Sequence, residues 1–570
     1  MVGKLFFVIF AFFVVKSHQN LLDLSLVDVP EVGLIKGLVK YFETNKSQVY
    51  YQYKGIPYAE PPERFTISQV KEPWLGIHDG TVEGNVCPQS TGDLSYTGQF
   101  SEDCLVLTVT TPLNPNNFTC TNTTTSNIPV LVFVHGGFYA FGSAETKWYD
   151  PELLVQENIL VVQIQYRLSA FGYITDGKII PKNIGLKDIR LALQWVKKNI
   201  GSFGGDSNMI TIHGESAGAM ALSAIYQSPR TSHLCNNIIM QSGNIISPLA
   251  MNKNPKQAFH TLLMNTRCAI TAVLPVQYQV ECLKQLTISE LNLDDGELLL
   301  FQDIDNTGVI NGIVAALVME DENDPDAIII KSPLNQLQNK NLPENKSVLI
   351  SITSEEAFTF EASLHFLRGK PNAGLVPLGM VANDPDDVGR RIKEEYAGSE
   401  AGWNTANISA YSNYISDVIF NVPSRYYAKM AAGVVDDQHG VYFMQFSYTS
   451  IIGLLNDGEK RVGHADDLAY TWKQEAVSHE TIKKNFYLAK DIKKRNQLNR
   501  IISNFVKYGN PTPVPEPLLD NISWPKISDS DNMSYLYFGN ELLVKQNPKN
   551  QHFQFWMDRY EQDGNPTIGL

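Results

Sequence analysis

Gly214-Glu215-Ser216-Ala217-Gly218 sets a serine between two glycines. A hydroxyl so placed becomes a nucleophile when a sharp strand-to-helix turn lifts it clear of the backbone, and small flanking residues let that turn close. The pentapeptide alone is weak, because a chain of this length shows G-x-S-x-G by chance roughly one time in five at ordinary Gly and Ser usage. Its flanks carry the weight: the strand-like Met209-Ile210-Thr211-Ile212-His213 precedes it and the helix-like Ala219 to Tyr226 follows. A second cluster, His135-Gly136-Gly137-Phe138, follows an apolar run that ends at Val134. The backbone N–H groups of Gly136 and Gly137, with that of Ala217, could hold the oxyanion of a tetrahedral intermediate. The chain has no G-x-x-x-x-G-K-[ST] and no strand-bound G-x-G-x-x-G, which argues against a phosphate loop.

A serine nucleophile requires an imidazole base and an acid to orient it, here expected in the order serine, acid, histidine. Two histidines stand out by setting. His464 lies in Gly463-His464-Ala465-Asp466-Asp467-Leu468, and His439 in Asp437-Gln438-His439-Gly440. Both read as loop positions from which a ring could enter a site.

The elements that must carry these residues are legible as apolar runs. Leu105 to Thr110, Ile128 to Val134, Ile159 to Ile164, Met209 to Ile212, Ile238 to Met240 and Val348 to Ile352 read as strands. Continuous runs of this kind suit a parallel sheet buried on both faces. Ile189, Leu193, Val196 and Ile200 recur at helical spacing, and Gly201 with Gly204-Gly205 ends that helix. The class is α/β with a mostly parallel sheet. Asn114 to Asn127, rich in Asn and Thr, reads as an exposed loop, and nothing marks a domain boundary.

Composition excludes other callings. The formal charge of −14, from 46 Lys+Arg against 60 Asp+Glu, opposes nucleic-acid binding. Lys4 and the apolar run Leu5 to Val15 read as a signal peptide, residues 1–17, cut after Ser17. No later stretch is long and apolar enough for a membrane anchor. Sequons at Asn45, Asn117, Asn122, Asn345, Asn407, Asn521 and Asn532 fit a glycosylated, secreted chain. The six cysteines leave room for one or two disulfides. Neither H-E-x-x-H nor paired C-x-x-C argues for a metal, and no cofactor is expected.

From about residue 30 to 560 the chain resembles the type-B carboxylesterases of the cholinesterase/carboxylesterase family. The likeness rests on Gly55-Ile56-Pro57-Tyr58-Ala59, Ser101-Glu102-Asp103-Cys104-Leu105, His135-Gly136-Gly137-Phe138, Tyr166-Arg167-Leu168, Asn183 to Asp188, Asn199 to Asp206, Gly214 to Gly218 and His464 to Leu468. The resemblance implies an α/β-hydrolase fold, with a large, mostly parallel sheet and helices on both faces, as one domain over residues 18–570. It implies Ser216 as nucleophile, His464 as base and Glu356 as orienting acid, with Gly136, Gly137 and Ala217 as oxyanion donors and Ser242 in support. It also implies ion pairs Arg64–Glu102 and Arg167–Asp188 and disulfides Cys87–Cys104 and Cys268–Cys282, leaving Cys120 and Cys235. The acid motif departs from the family at Ser351 and Ala357, where glycines are usual, and Glu355 stands next to the assigned acid. The position matching the tryptophan of cholinesterases that holds choline is Leu94, which points to uncharged carboxylic esters as the small-molecule substrates. The alternative from another class is a catalytically silent adhesion module, which would ordinarily lack the serine or histidine.

Overall fold

A computed structural model describes residues 24–89, 96–117, 128–291, 315–367, 370–377, 380, 382–404, 406–450, 461–474, 489–528 and 532–563. The expected signal peptide, Cys120, Asn122 and Leu94 lie outside these residues. Thirteen strands among the described residues make one sheet. They are β1 (Leu24–Val29), β2 (Gly33–Tyr41), β3 (Val49–Pro57), β4 (Ile77–Asp79), β5 (Val106–Thr111), β6 (Ile128–Val134) and β7 (Leu160–Ile164). β8 (Gly205–Glu215), β9 (Asn237–Gln241), β10 (Val348–Thr353), β11 (Val441–Phe446), β12 (Ser534–Phe538) and β13 (Leu542–Gln546) complete it. The spatial order is β1-β2-β3-β5-β7-β6-β8-β9-β10-β11-β12-β13, with β4 beside β2. From β7 through β12 every neighbouring pair is parallel. The path from β1 to β7 and the β12–β13 pair are antiparallel.

The apolar runs exist because both faces of this sheet are covered. On β6, Val130, Val132 and Val134 join one core with Ile189, Leu193 and Val196 of α1 (Ile184–Asn199) and Leu222 and Ile225 of α2 (Ala217–Gln227). The alternate residues Leu131 and Phe133 join a second core with Leu498, Ile501 and Phe505 of α3 (Ala489–Tyr508). Side chains alternate across a strand, so a strand with helices on each side must be apolar at every position.

Boundaries differ from the sequence reading where packing overrides pattern. α1 begins at Ile184, five residues before its recognisable stripe, because its first turns are buried almost all round. β8 starts at Gly205 although Asp206, Ser207 and Asn208 are polar. The N-terminal β1 lacks an apolar run because one of its faces is exposed, so that buried and exposed positions alternate along it.

Cys87 is bonded to Cys104 and Cys268 to Cys282, while Cys235 is a buried free thiol. Arg167 forks onto buried Asp188, with Nε and Nη2 each 2.7 Å from a carboxylate oxygen. Arg64 Nε lies 3.1 Å from both oxygens of Glu102. Asn45, Asn345, Asn521 and Asn532 are exposed, and Asn407 is half-buried.

Candidate active site

The parallel strands bring their carboxyl ends to one edge of the sheet, the edge at which open α/β sheets bind ligands. Gly136 follows β6, Ser216 follows β8 and Glu356 follows β10 along that edge. Ser216 adopts φ 52° and ψ −124°, a left-handed setting for a residue with a side chain, and α2 starts at the next residue. Its N–H is tied to the Gln241 carbonyl at 2.8 Å, which joins the turn to β9. The turn closes only with glycine at 218, where a Cβ would lie 2.2 Å from the Val134 carbonyl oxygen. Gly136 is pressed as closely from the other side: a Cβ there would lie 2.8 Å from the Ser216 Cβ. The glycine loop therefore abuts the serine.

Glu356 is wholly buried, and its carboxylate meets three partners. Its Oε1 accepts the Ser242 hydroxyl and the Thr353 N–H, each at 2.7 Å. Its Oε2 lies 2.7 Å from His464 Nδ1, and its carbonyl accepts the His464 N–H at 3.0 Å. The adjacent Glu355 faces the other way, onto Arg461. His439 pairs with Asp436 on a turn, apart from this cluster.

The imidazole is bracketed by carboxylates. His464 Nε2 is 3.1 Å from Glu215 Oε1, but off the N–H direction, and that oxygen has no hydrogen-bond donor among the described residues. Burial disfavours the imidazolium, yet Glu215 and Glu356 outweigh it and hold the His464 pKa above its ordinary value. Burial raises Asp467 to about 7, with the Glu356 and Glu215 charges adding to the effect. Asp467 accepts from Gln241 Nε2 at 2.9 Å, and Gln241 Oε1 meets His213, which burial lowers to about 4. His213, Gln241 and Asp467 are thus linked in one buried polar chain.

Ser216, His464, Glu215, Gly136 and Gly137 line one pocket. Its walls are aromatic: Tyr96, Phe138, Phe141, Trp148, Tyr149 and Phe360. Phe360 and Phe420 also flank the His464 ring at centroid distances of 5.5 and 4.6 Å. Trp148 supplies an aromatic face at the site that matching position 94 alone does not reveal. A hydroxyl on a strained elbow, an imidazole held by a carboxylate and a glycine loop in an apolar pocket are together suited to acyl transfer.

The sheet, its covering helices and the elbow define an α/β-hydrolase. A model of the carboxylesterase family matches residues 23–556, and the chain belongs to that family. It is 28% identical over 523 residues to a juvenile hormone esterase of Heliothis virescens, covering 86% of each chain. It is 27% identical over 554 residues to a pyrethroid hydrolase of Rattus norvegicus, covering 92% of this chain and 88% of the relative. A crystal structure of juvenile hormone esterase from Manduca sexta, with OTFP covalently attached, superposes with a TM-score of 0.78 at 25% identity. That superposition covers 94% of this chain and 100% of the other. The protein is a carboxylesterase, a hydrolase of carboxylic esters.

Proposed function

We propose that this carboxylesterase is secreted and cleaves uncharged carboxylic esters through an acyl-enzyme on Ser216. His464 Nε2 takes the hydroxyl proton as Oγ attacks the ester carbonyl, then returns it to the leaving alcohol. Water repeats the attack on the acyl-enzyme with the same base. Glu356 fixes the tautomer with the proton on Nδ1, and Ser242 and the Thr353 N–H hold that carboxylate in place. The N–H groups of Gly136, Gly137 and Ala217 stabilise the tetrahedral oxyanion.

The observation that carries the reading is the 2.7 Å Glu356–His464 contact in a chain that sets His464, Ser216 and the glycine loop around one pocket. The preference for uncharged esters is supported by Leu94, which stands where cholinesterases carry the tryptophan that holds choline. Secretion is supported by the leader-like residues 1–17, the exposed sequons and the two disulfides. Replacing Ser216 with alanine should abolish ester turnover while leaving the melting temperature near that of the native protein. Substantial turnover by the variant would overturn the mechanism.

A further inference from the structure

The loop that carries Gly136 and Gly137 is held from outside its own strand. Gln89 grips Gly142 with both ends of its side-chain amide: Nε2 donates to the Gly142 carbonyl and Oε1 accepts the Gly142 N–H, each at 2.7 Å. The amide is itself fixed, donating to the Cys87 carbonyl at 3.0 Å and accepting the Tyr96 hydroxyl at 2.8 Å. Gln89 is 2% exposed, so water does not compete for these bonds. Gly142 in turn packs on His135, where a Cβ would come 2.4 Å from Nδ1, and that nitrogen is bonded to the Gly136 carbonyl at 2.8 Å. A second tie runs parallel: Glu145 Oε1 accepts the N–H groups of Thr97 and Gly98 at 2.8 and 2.7 Å. Gln89, Tyr96, Thr97 and Gly98 all lie within the segment closed by Cys87–Cys104.

We propose that Gln89 is a positioning residue for the oxyanion donors, through which the backbone beside the Cys87–Cys104 disulfide braces the glycine loop. This rests on the reading of Gly136, Gly137 and Ala217 as those donors. Oxyanion donors act only within about 2.7–3.1 Å of the developing charge. Glycine-rich backbone has little stiffness of its own, so its alignment must be imposed by neighbours. The Gln89 amide imposes it with one bond to each of the two peptide units that flank the Gly142 Cα, which fix the direction of the backbone there as well as its distance.

Two variants test the brace. Gln89→Met keeps the length of the side chain and removes every hydrogen bond. Gln89→Glu keeps the acceptor for the Gly142 N–H and sets a carboxylate oxygen against the Gly142 carbonyl. For both, kcat and KM on a neutral aryl ester are measured with the affinity for an aryl trifluoromethyl ketone, whose serine adduct carries an oxyanion. In each folded variant kcat should fall by about 10- to 100-fold, with KM within about 3-fold, because the donors are misplaced rather than removed. Ketone affinity should fall in step with kcat/KM. Unchanged kcat and ketone affinity, or a rise in KM alone, would overturn the inference whatever happens to the melting temperature. If Gln89→Met does not fold, Gln89→Glu decides. A wild-type enzyme that forms no serine adduct with the ketone would instead refute the oxyanion reading beneath the proposal.

Discussion

Glu356→Gln and Glu355→Gln remove the charge from adjacent positions and should have very different effects. At 356 the surrounding donors decide how the amide sits. The Ser242 hydroxyl and the Thr353 N–H both point at Oε1, so the glutamine oxygen takes that place. Its NH2 group then faces His464 Nδ1, which must become the acceptor, and the ring proton moves to Nε2. An imidazole protonated at Nε2 cannot accept the proton of Ser216. The cost of the wrong tautomer in such a triad is about 10⁴-fold in kcat, or roughly 5.5 kcal/mol of barrier. Glu355 instead pairs with Arg461 at a half-exposed position, and such pairs contribute about 0–1 kcal/mol to stability. Its glutamine variant should keep kcat within about 3-fold. The assay is kcat on a neutral aryl ester for both purified variants, with thermal melts to confirm folding. Equal losses, or a larger loss at 355, would show that the register of the loop after β10 is wrong.

Glu215→Gln removes a carboxylate that raises the His464 pKa, and the base works only when neutral; the ascending limb of the kcat/KM–pH profile should therefore move to lower pH. An unmoved limb would mean that Glu215 does not act on the ring. Arg167→Ala leaves Asp188 buried and short of its guanidinium partner, so chemical denaturation should show a loss of about 3–5 kcal/mol. A loss under about 1 kcal/mol would show that the pair is structurally idle. On substrates, kcat/KM for a neutral aryl acetate should exceed that for acetylthiocholine; a ratio at or below one would show that Trp148 and its aromatic neighbours form a working cation site.

How much of this was legible in the sequence depended on range. β6 and β7 show as apolar runs, β7 broken only by Gln163, because helices bury both their faces, whereas the stripe from Ile189 marks the face that α1 turns to the core. The Ser216 elbow is a local motif, since the requirement for small residues falls within five positions of chain. β1 leaves no such run because its burial alternates while its residue types do not follow it, with Ser25 buried and Leu26 exposed. The choice between Glu355 and Glu356 turns on a single residue of register, and only the folded loop shows one facing His464 and the other Arg461. The Gln89–Gly142 and Glu145–Gly98 ties span 53 and 47 residues, and such contacts leave no local pattern to read. The same holds for Trp148, which reaches the pocket through the path of its loop rather than through any spacing from Ser216.

The central claim is that an acyl group passes through a covalent bond to Ser216. It is tested most directly by titrating the enzyme with a fluorophosphonate and mapping the modified peptide by mass spectrometry. One phosphonyl group per chain should appear on Ser216, with activity lost in proportion to its incorporation. Full loss of activity with the label on any other residue, or full labelling of Ser216 with turnover retained, would contradict the account.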